Sequence, residues 1–214
     1  NNGATFRLTG TSAMPTGFGT TTLQATSTVD FNGTGSQIIA AANYGNLTSS
    51  STGARTLAAA GTIGVATTFT PGTNAYTNTS STINFNGTGA QTIPALNYNN
   101  LTISGARTTN SITLVSGGTI GVAGTLSPTA TFTSGAYITT GNTVYFNGTS
   151  TSIGDVFTFN NLTVSTGTLT APAANINVKG TWDNDGTFTH SSGTVTFNGT
   201  SAQSIAAGNK TTFY

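Results

Sequence analysis

The tetrapeptide Phe-Asn-Gly-Thr stands at Phe31, Phe85, Phe146 and Phe197, and each occurrence opens a copy of a longer pattern. An internal repeat of this kind signals a solenoid or an array, in which each unit buries its apolar face only against its neighbours. That constraint favours an extended structural or adhesive surface over an enzyme built around one pocket.

Aligned on the Phe, the four copies place Val29, Ile83, Val144 and Val195 two residues earlier. The intervening residue varies freely: Asp30, Asn84, Tyr145 and Thr196. An apolar pair around an arbitrary residue is period two, so the pair points inward and the middle residue outward. The Asn-Gly that follows, Asn32-Gly33, Asn86-Gly87, Asn147-Gly148 and Asn198-Gly199, reads as a turn, because both residue types tolerate positive φ. Six residues beyond the Phe come Gln37, Gln91 and Gln203, with Ser152 in the third copy. An aromatic follows at Tyr44, Tyr98 and Phe159, and sixteen residues beyond the Phe stand Leu47, Leu101 and Leu162. The segment Gly61-Thr62-Ile63-Gly64-Val65-Ala66 recurs as Gly118-Thr119-Ile120-Gly121-Val122-Ala123, and the third copy replaces it with Asn175-Ile176-Asn177-Val178.

The Phe-to-Phe distances are 54, 61 and 51 residues. The even internal spacing and the Gly and Asn turns predict an all-β parallel β-helix, with roughly three coils of about 16–22 residues in each repeat. Stacking at about 4.8 Å per coil would put Phe31, Leu47 and Ile63 in one inward column, and would let the Asn residues form an amide ladder. About 11 such coils make a rod of about 50 Å. The expected division is a partial repeat at 1–27, repeats at 28–81, 82–142 and 143–193, and a partial repeat at 194–214, all in one continuous solenoid. A string of β-sandwiches is the rival fold, but such domains usually need about 100 residues. Both ends fall inside a repeat. The expectation is a segment of a longer array, or a unit that stacks end to end.

Composition narrows the function. Only 4% of the 214 residues are charged, Glu is absent, and about a quarter of the chain is Thr. Arg7, Arg55, Arg107, Lys179 and Lys210 are scattered, so the clustered basic surface that nucleic acid requires is absent from the sequence. The apolar runs are too short for a membrane-spanning segment, and no Cys is present to staple the fold.

Chemistry-bearing candidates are few. His190 is the one histidine, and no Gly-x-Ser-x-Gly elbow accompanies it. Asp183-Asn184-Asp185-Gly186 resembles the start of a calcium loop but lacks the remaining acidic ligands, so an Asx turn is the simpler reading. Asp30, Asp155, Asp183 and Asp185 are the whole supply of carboxylates, with no fixed place in the repeat for a glycosidase pair. The Asn-x-Thr triplets at Asn32, Asn46, Asn86, Asn100, Asn147, Asn161 and Asn198 read as glycan acceptors or as repeated turn residues, and their constant repeat position favours turns. Thr68-Phe69-Thr70, Thr131-Phe132-Thr133 and Thr187-Phe188-Thr189 place paired threonines opposite a Phe, the motif of an ice-binding face. It comes about once per repeat rather than once per coil.

The pattern Val-x-Phe-Asn-Gly-Thr-Gly-x-Gln-x-Ile, then Asn-Tyr-x-Asn-Leu-Thr, then Gly-Thr-Ile-Gly-Val-Ala, resembles repeats of very large secreted surface proteins of Bacteroidota-type bacteria, some described as adhesins or gliding-associated filaments. The resemblance implies an extracellular β-solenoid stalk whose secretion signal and sorting domain lie outside these residues. The expected function is a non-enzymatic structural segment of a surface fibre, filament or adhesin at the cell surface, with no cofactor. Its expected partners are further repeats or copies of itself end to end, and surface glycans; neither nucleic acid nor membrane insertion is expected. The alternative is a glycan- or ice-binding module using outward Thr, Asn and aromatic rows such as Tyr145 and Trp182.

Overall fold

The computed structural model describes residues 3–15 and 23–207. Every regular element among them is a β-strand, and every strand pairing is parallel. The strands form stacked coils, a β-solenoid of about ten turns. Ten strands join in the largest sheet and six in the next, with three three-stranded sheets and one two-stranded sheet between them. Parallel pairing follows from winding one way round an axis, since each strand meets its partner only after the chain has crossed the other faces.

Each coil carries three strand segments, one on each face. Thr28–Phe31 leads to Gln37–Ile39 and then to Asn43–Thr48, whose latter half pairs back onto Thr28–Asp30. Asn43–Thr48 turns a corner at a register shift between Tyr44 and Asn46. Its first two residues pair with Gly64 and Val65, its last three with Thr68–Thr70. Thr62–Thr70 bends likewise and hands its first half on to Thr82–Phe85.

This winding sets a phase that spacing alone did not reveal. From one Phe-Asn-Gly-Thr to the next the chain lays down eight principal strand segments at three per coil, so a repeat spans two and two-thirds coils. Successive copies therefore start on successive faces. Phe85 lies in the ten-stranded sheet between Val65 and Ile103. Phe146 lies in the six-stranded sheet between Val122 and Val164, and Phe197 in a three-stranded sheet beside Val178. Each copy still meets the same neighbours, because Val65, Val122 and Val178 are themselves equivalent. The extra length of the second repeat is taken up by the small two-stranded sheet of Ala106–Arg107 and Thr131–Phe132.

The expected column of Phe31, Leu47 and Ile63 is thereby corrected. Leu47 stacks between Val29 and Phe69; Phe31 pairs with Leu8; Ile63 stacks on Ile83, which continues to Leu101, Leu126 and Ile153. The inward alternation itself is as read: Val29, Phe31, Leu47, Ile83, Phe85, Leu101, Val144, Phe146 and Leu162 are all buried in one continuous apolar core. Inside that core the Phe meets the aromatic thirteen residues on, edge to face, in three copies. The ring centroids lie 6.4 Å apart for Phe31–Tyr44, 6.5 Å for Phe85–Tyr98 and 6.2 Å for Phe146–Phe159. This T-shaped geometry is the one aromatic quadrupoles favour. Tyr44 and Tyr98 each donate their hydroxyl to the carbonyl four residues back, Ala40 and Pro94, at 2.9 Å.

Candidate functional site

The residues that the repeat holds constant hold coil to coil. Gly33, Gly87, Gly148 and Gly199 do not adopt positive φ, which corrects the turn-based explanation of Asn-Gly. What each requires is a missing side chain. A methyl group on them would overlap the backbone carbonyl oxygen of Gly10, Ala66, Ala123 or Lys179 in the preceding coil. Only glycine lets two backbones approach so closely.

The conserved Gln closes the same corner. Gln91, buried at 4% exposure, accepts from the Gly87 N–H at 3.1 Å and donates to the carbonyls of Val65 at 2.9 Å and Thr67 at 3.2 Å. Gln37 repeats this with the Gly33 N–H and the carbonyls of Leu8 and Ser12, and Gln203 with the Gly199 N–H and the carbonyl of Val178. One amide thus satisfies a turn donor and ties it to the coil below. Gln91→Ala leaves buried partners unpaired, and the expected loss is about 2–3 kcal/mol, read as a lower urea midpoint at unchanged slope.

Two arginines complete the corner, a role that sequence reading missed. Arg55 is fully buried, and its guanidinium donates to the carbonyls of Phe31 at 2.6 Å, Gly53 at 2.7 Å and Gly33 at 3.1 Å. Arg107 reaches the coil below through the Gly89 carbonyl at 3.2 Å and Gln91 Oε1 at 2.7 Å, and donates to its own neighbours Ser104 at 2.8 Å and Gly105 at 3.2 Å. Both follow a Gly-Ala dipeptide, Gly53-Ala54 and Gly105-Ala106, and that shared context was the available signal. Burial lowers the pKa of both guanidiniums from the ordinary arginine value. In the third copy Leu169 stands in place of Arg and packs into the core, and Thr151, rather than the Ser152 that the spacing indicates, takes the place of Gln: it is buried, in register with Leu169, and donates to the Thr168 carbonyl at 2.8 Å.

The asparagines also bind coils, in pairs rather than as one continuous ladder. Asn86 donates to Asn43 Oδ1 and Asn147 to Asn97 Oδ1, both at 3.3 Å, each across the intervening Gly64 or Gly121. Asn100 and Asn161 accept from the backbone N–H of Thr125 and Thr181 at 2.9 Å. Asn32 donates to Ser50 and Asn46 to the Ser27 carbonyl, while Asn198 stands exposed.

The remaining candidates are dispersed. His190 sits in a tight turn, accepting at Nδ1 from the Ser192 N–H at 3.1 Å, with Ser191 and Ser192 at positive φ. Asn184 turns into the core between Asp183 and Asp185, so that stretch is the end of a strand and not a ligand-wrapping loop. Asp30 stands on the outward side as read, yet is covered. It pairs with Arg7 at 3.1 Å and accepts from the Ser50 hydroxyl at 2.7 and 2.8 Å. Among the described residues no three His, Asp or Glu side chains converge. Lys210 lies outside the described residues.

Trp182, expected on the outer surface, is fully buried, which is a correction. It lies in register with Leu162 and Ile205 and packs edge-on against Phe188, centroids 4.8 Å apart. Tyr145 does face outward. The three Thr-Phe-Thr motifs lie in different parts of the solenoid and do not stack on one another. Hydroxyl rows nonetheless arise where the third motif, Thr187-Phe188-Thr189, continues Thr and Ser residues of the preceding coils. Thr125, Ser152, Thr170 and Thr189 run in register over four coils, beside Ser150, Thr168 and Thr187.

Burial raises the phenol pKa of Tyr76 and Tyr137 to about 12, and pushes those of Tyr44 and Tyr98 further up. Since the folded pKa values lie above the unfolded value near 10, the unfolded state loses protons first as pH rises. Stability is expected to be fully present below about pH 10 and to fall between about pH 10 and 12. Melting temperature and tyrosinate absorbance followed over that range check it: absorbance should rise together with unfolding.

No protein-family model matches the chain, and neither curated proteins nor solved structures give a significant match.

Proposed function

We propose that this chain is a non-enzymatic structural segment of an extracellular surface fibre, filament or giant adhesin. One observation carries the reading: the polar residues that the repeat holds constant are used in joining coil to coil. The glutamines, the arginines and most of the asparagines end on backbone or side-chain partners in adjacent coils. Such a body gains stiffness from ladders and clasps along its axis, and its stability is a sum of neighbour terms. The near absence of Lys and Arg leaves trypsin few sites, which suits exposure outside a cell. Its partners in this reading are further repeats of the same kind, stacked end to end.

The test pairs negative-stain electron microscopy of the native material with immunogold labelling of intact cells that produce it. Surface labelling and rods much longer than about 50 Å support the proposal. Labelling confined to the cytoplasm, or particles no longer than one ten-turn solenoid, overturns it. The registered Thr and Ser rows favour a second reading, an ice-binding face. Freezing-point hysteresis in a dilute solution would carry that reading, and its absence removes it.

A further inference from the structure

The third repeat departs from the others at one outward position, and the departure opens a groove. In the first two copies the residue between the apolar pair is an acceptor, Asp30 or Asn84. A serine from the next coil covers it: Ser50 donates to Asp30 at 2.7 Å and Ser104 to Asn84 at 2.9 Å. In the third copy Tyr145 takes the acceptor's place, and the equivalent Ser165 lines a cavity of about 360 Å³ beside it. Thr119, Thr143, Thr163 and Asp185 share that lining.

The row through Tyr145 runs Gly121, Tyr145, Thr163, Asp183 across four coils of the six-stranded sheet. On the Gly121 side the row is closed by the Asn97–Asn147 amide pair, which lies over that glycine. Thr163 separates the ring from Asp183, so the Tyr145 and Asp183 Cα atoms stand about 10 Å apart along the axis. Asp183 and Asp185 are two of only four acidic residues in the chain. The groove thus gathers an outward aromatic, an exposed carboxylate and a set of hydroxyls in a chain poor in charge.

Those groups select a ligand class. No cation lines the groove, which removes phosphate and sulfate recognition. Apart from one ring, the apolar atoms of the lining are threonine methyls and the edge of a buried valine, too little for a lipid chain. A pyranose fits: its C–H face lies on the Tyr ring, and its hydroxyls meet acceptors and donors of both kinds in the threonines, Ser165 and Asp185. The carboxylate repels uronic and sialic acids and so favours neutral sugars. We infer that the groove around Tyr145 is a subsite for a neutral, hydroxyl-rich oligosaccharide, running along the solenoid axis from Tyr145 toward the coil of Asp183 and Asp185. This goes beyond a purely mechanical role and stands independently of it. Weak binding at one subsite gains through repetition of the molecule along a surface.

The test titrates the intact chain with cellohexaose and with chitohexaose, reading the Tyr145 ring resonances by NMR and the affinity by calorimetry. At least one hexasaccharide should bind with a dissociation constant of about 0.1–1 mM and shift the Tyr145 ring signals. Tyr145→Thr, which installs the residue the fourth copy carries as Thr196, should fold normally and weaken binding about tenfold or more. Asp185→Asn, at an exposed position, gives a second variant with no folding burden and should weaken binding severalfold. The inference is overturned if neither sugar binds at about 10 mM. It is equally overturned if binding occurs without a Tyr145 shift, or if both variants bind as tightly as the original chain.

Discussion

Gly148→Ala is expected to lower stability by about 3 kcal/mol or more, although it adds a single methyl group. The added carbon would overlap the carbonyl oxygen of Ala123, a backbone atom of the coil below. A side-chain neighbour could rotate away; this one cannot. Val122 and Phe146 pair on one side of it, and the Asn147 N–H bonds the Val122 carbonyl at 3.0 Å. Relief therefore requires the two coils to part. Because a solenoid is held by nearest-neighbour contacts, the damage should be local. Hydrogen exchange should accelerate in the six-stranded sheet around Thr119–Val122 and Thr143–Phe146, and change little at Thr28–Phe31. Gly89→Ala is the control: nothing lies within 4 Å of a Cβ built there and its φ is not positive, so it should be neutral or slightly stabilising. Equal effects from the two substitutions would refute the close-approach explanation.

Arg55→Ala should cost about 3–5 kcal/mol, the second large effect. The guanidinium ends on the carbonyls of Phe31, Gly33 and Gly53, with longer contacts to Ala54 at 3.2 Å and Gly35 at 3.4 Å. Truncation leaves these acceptors facing a cavity. At about 2–4 °C per kcal/mol for a chain of this size, the melting temperature should fall by roughly 6–20 °C, and calorimetry reads it directly. Arg55→Lys should not rescue, because one ammonium cannot span acceptors on both sides of a planar fork. Rescue by Lys would mean that charge alone matters. The third repeat shows that a corner can close with a smaller device: Leu169 replaces the arginine and packs into the core, and the buried Thr151 hydroxyl donates to the Thr168 carbonyl at 2.8 Å, so no clasp is left half made.

Much of the architecture was legible. The apolar pair around a free residue fixed which side chains face inward, because alternation is a local property of an extended chain. Trp182 was misjudged only because its copy departs from the pattern; counted in twos from the end of its strand, it belongs inside with Asn184. The candidate groove was half legible. Tyr145 stood out as an outward aromatic, while Ser165 and Asp185 come beside it only after one and two further turns of the chain.

The amino-acid sequence by itself determined the repeat, the inward faces, the coiled parallel-sheet architecture and the scarcity of charge. Tertiary structure alone decided which residues stack. Two and two-thirds coils per repeat follow from how many residues each turn consumes, and turn length carries no hydrophobic signature. The same winding decided why four glycines are glycines, and why two arginines are buried. Both answers lie in the backbone of the neighbouring coil, about 20 residues away in the chain but one strand spacing away in space.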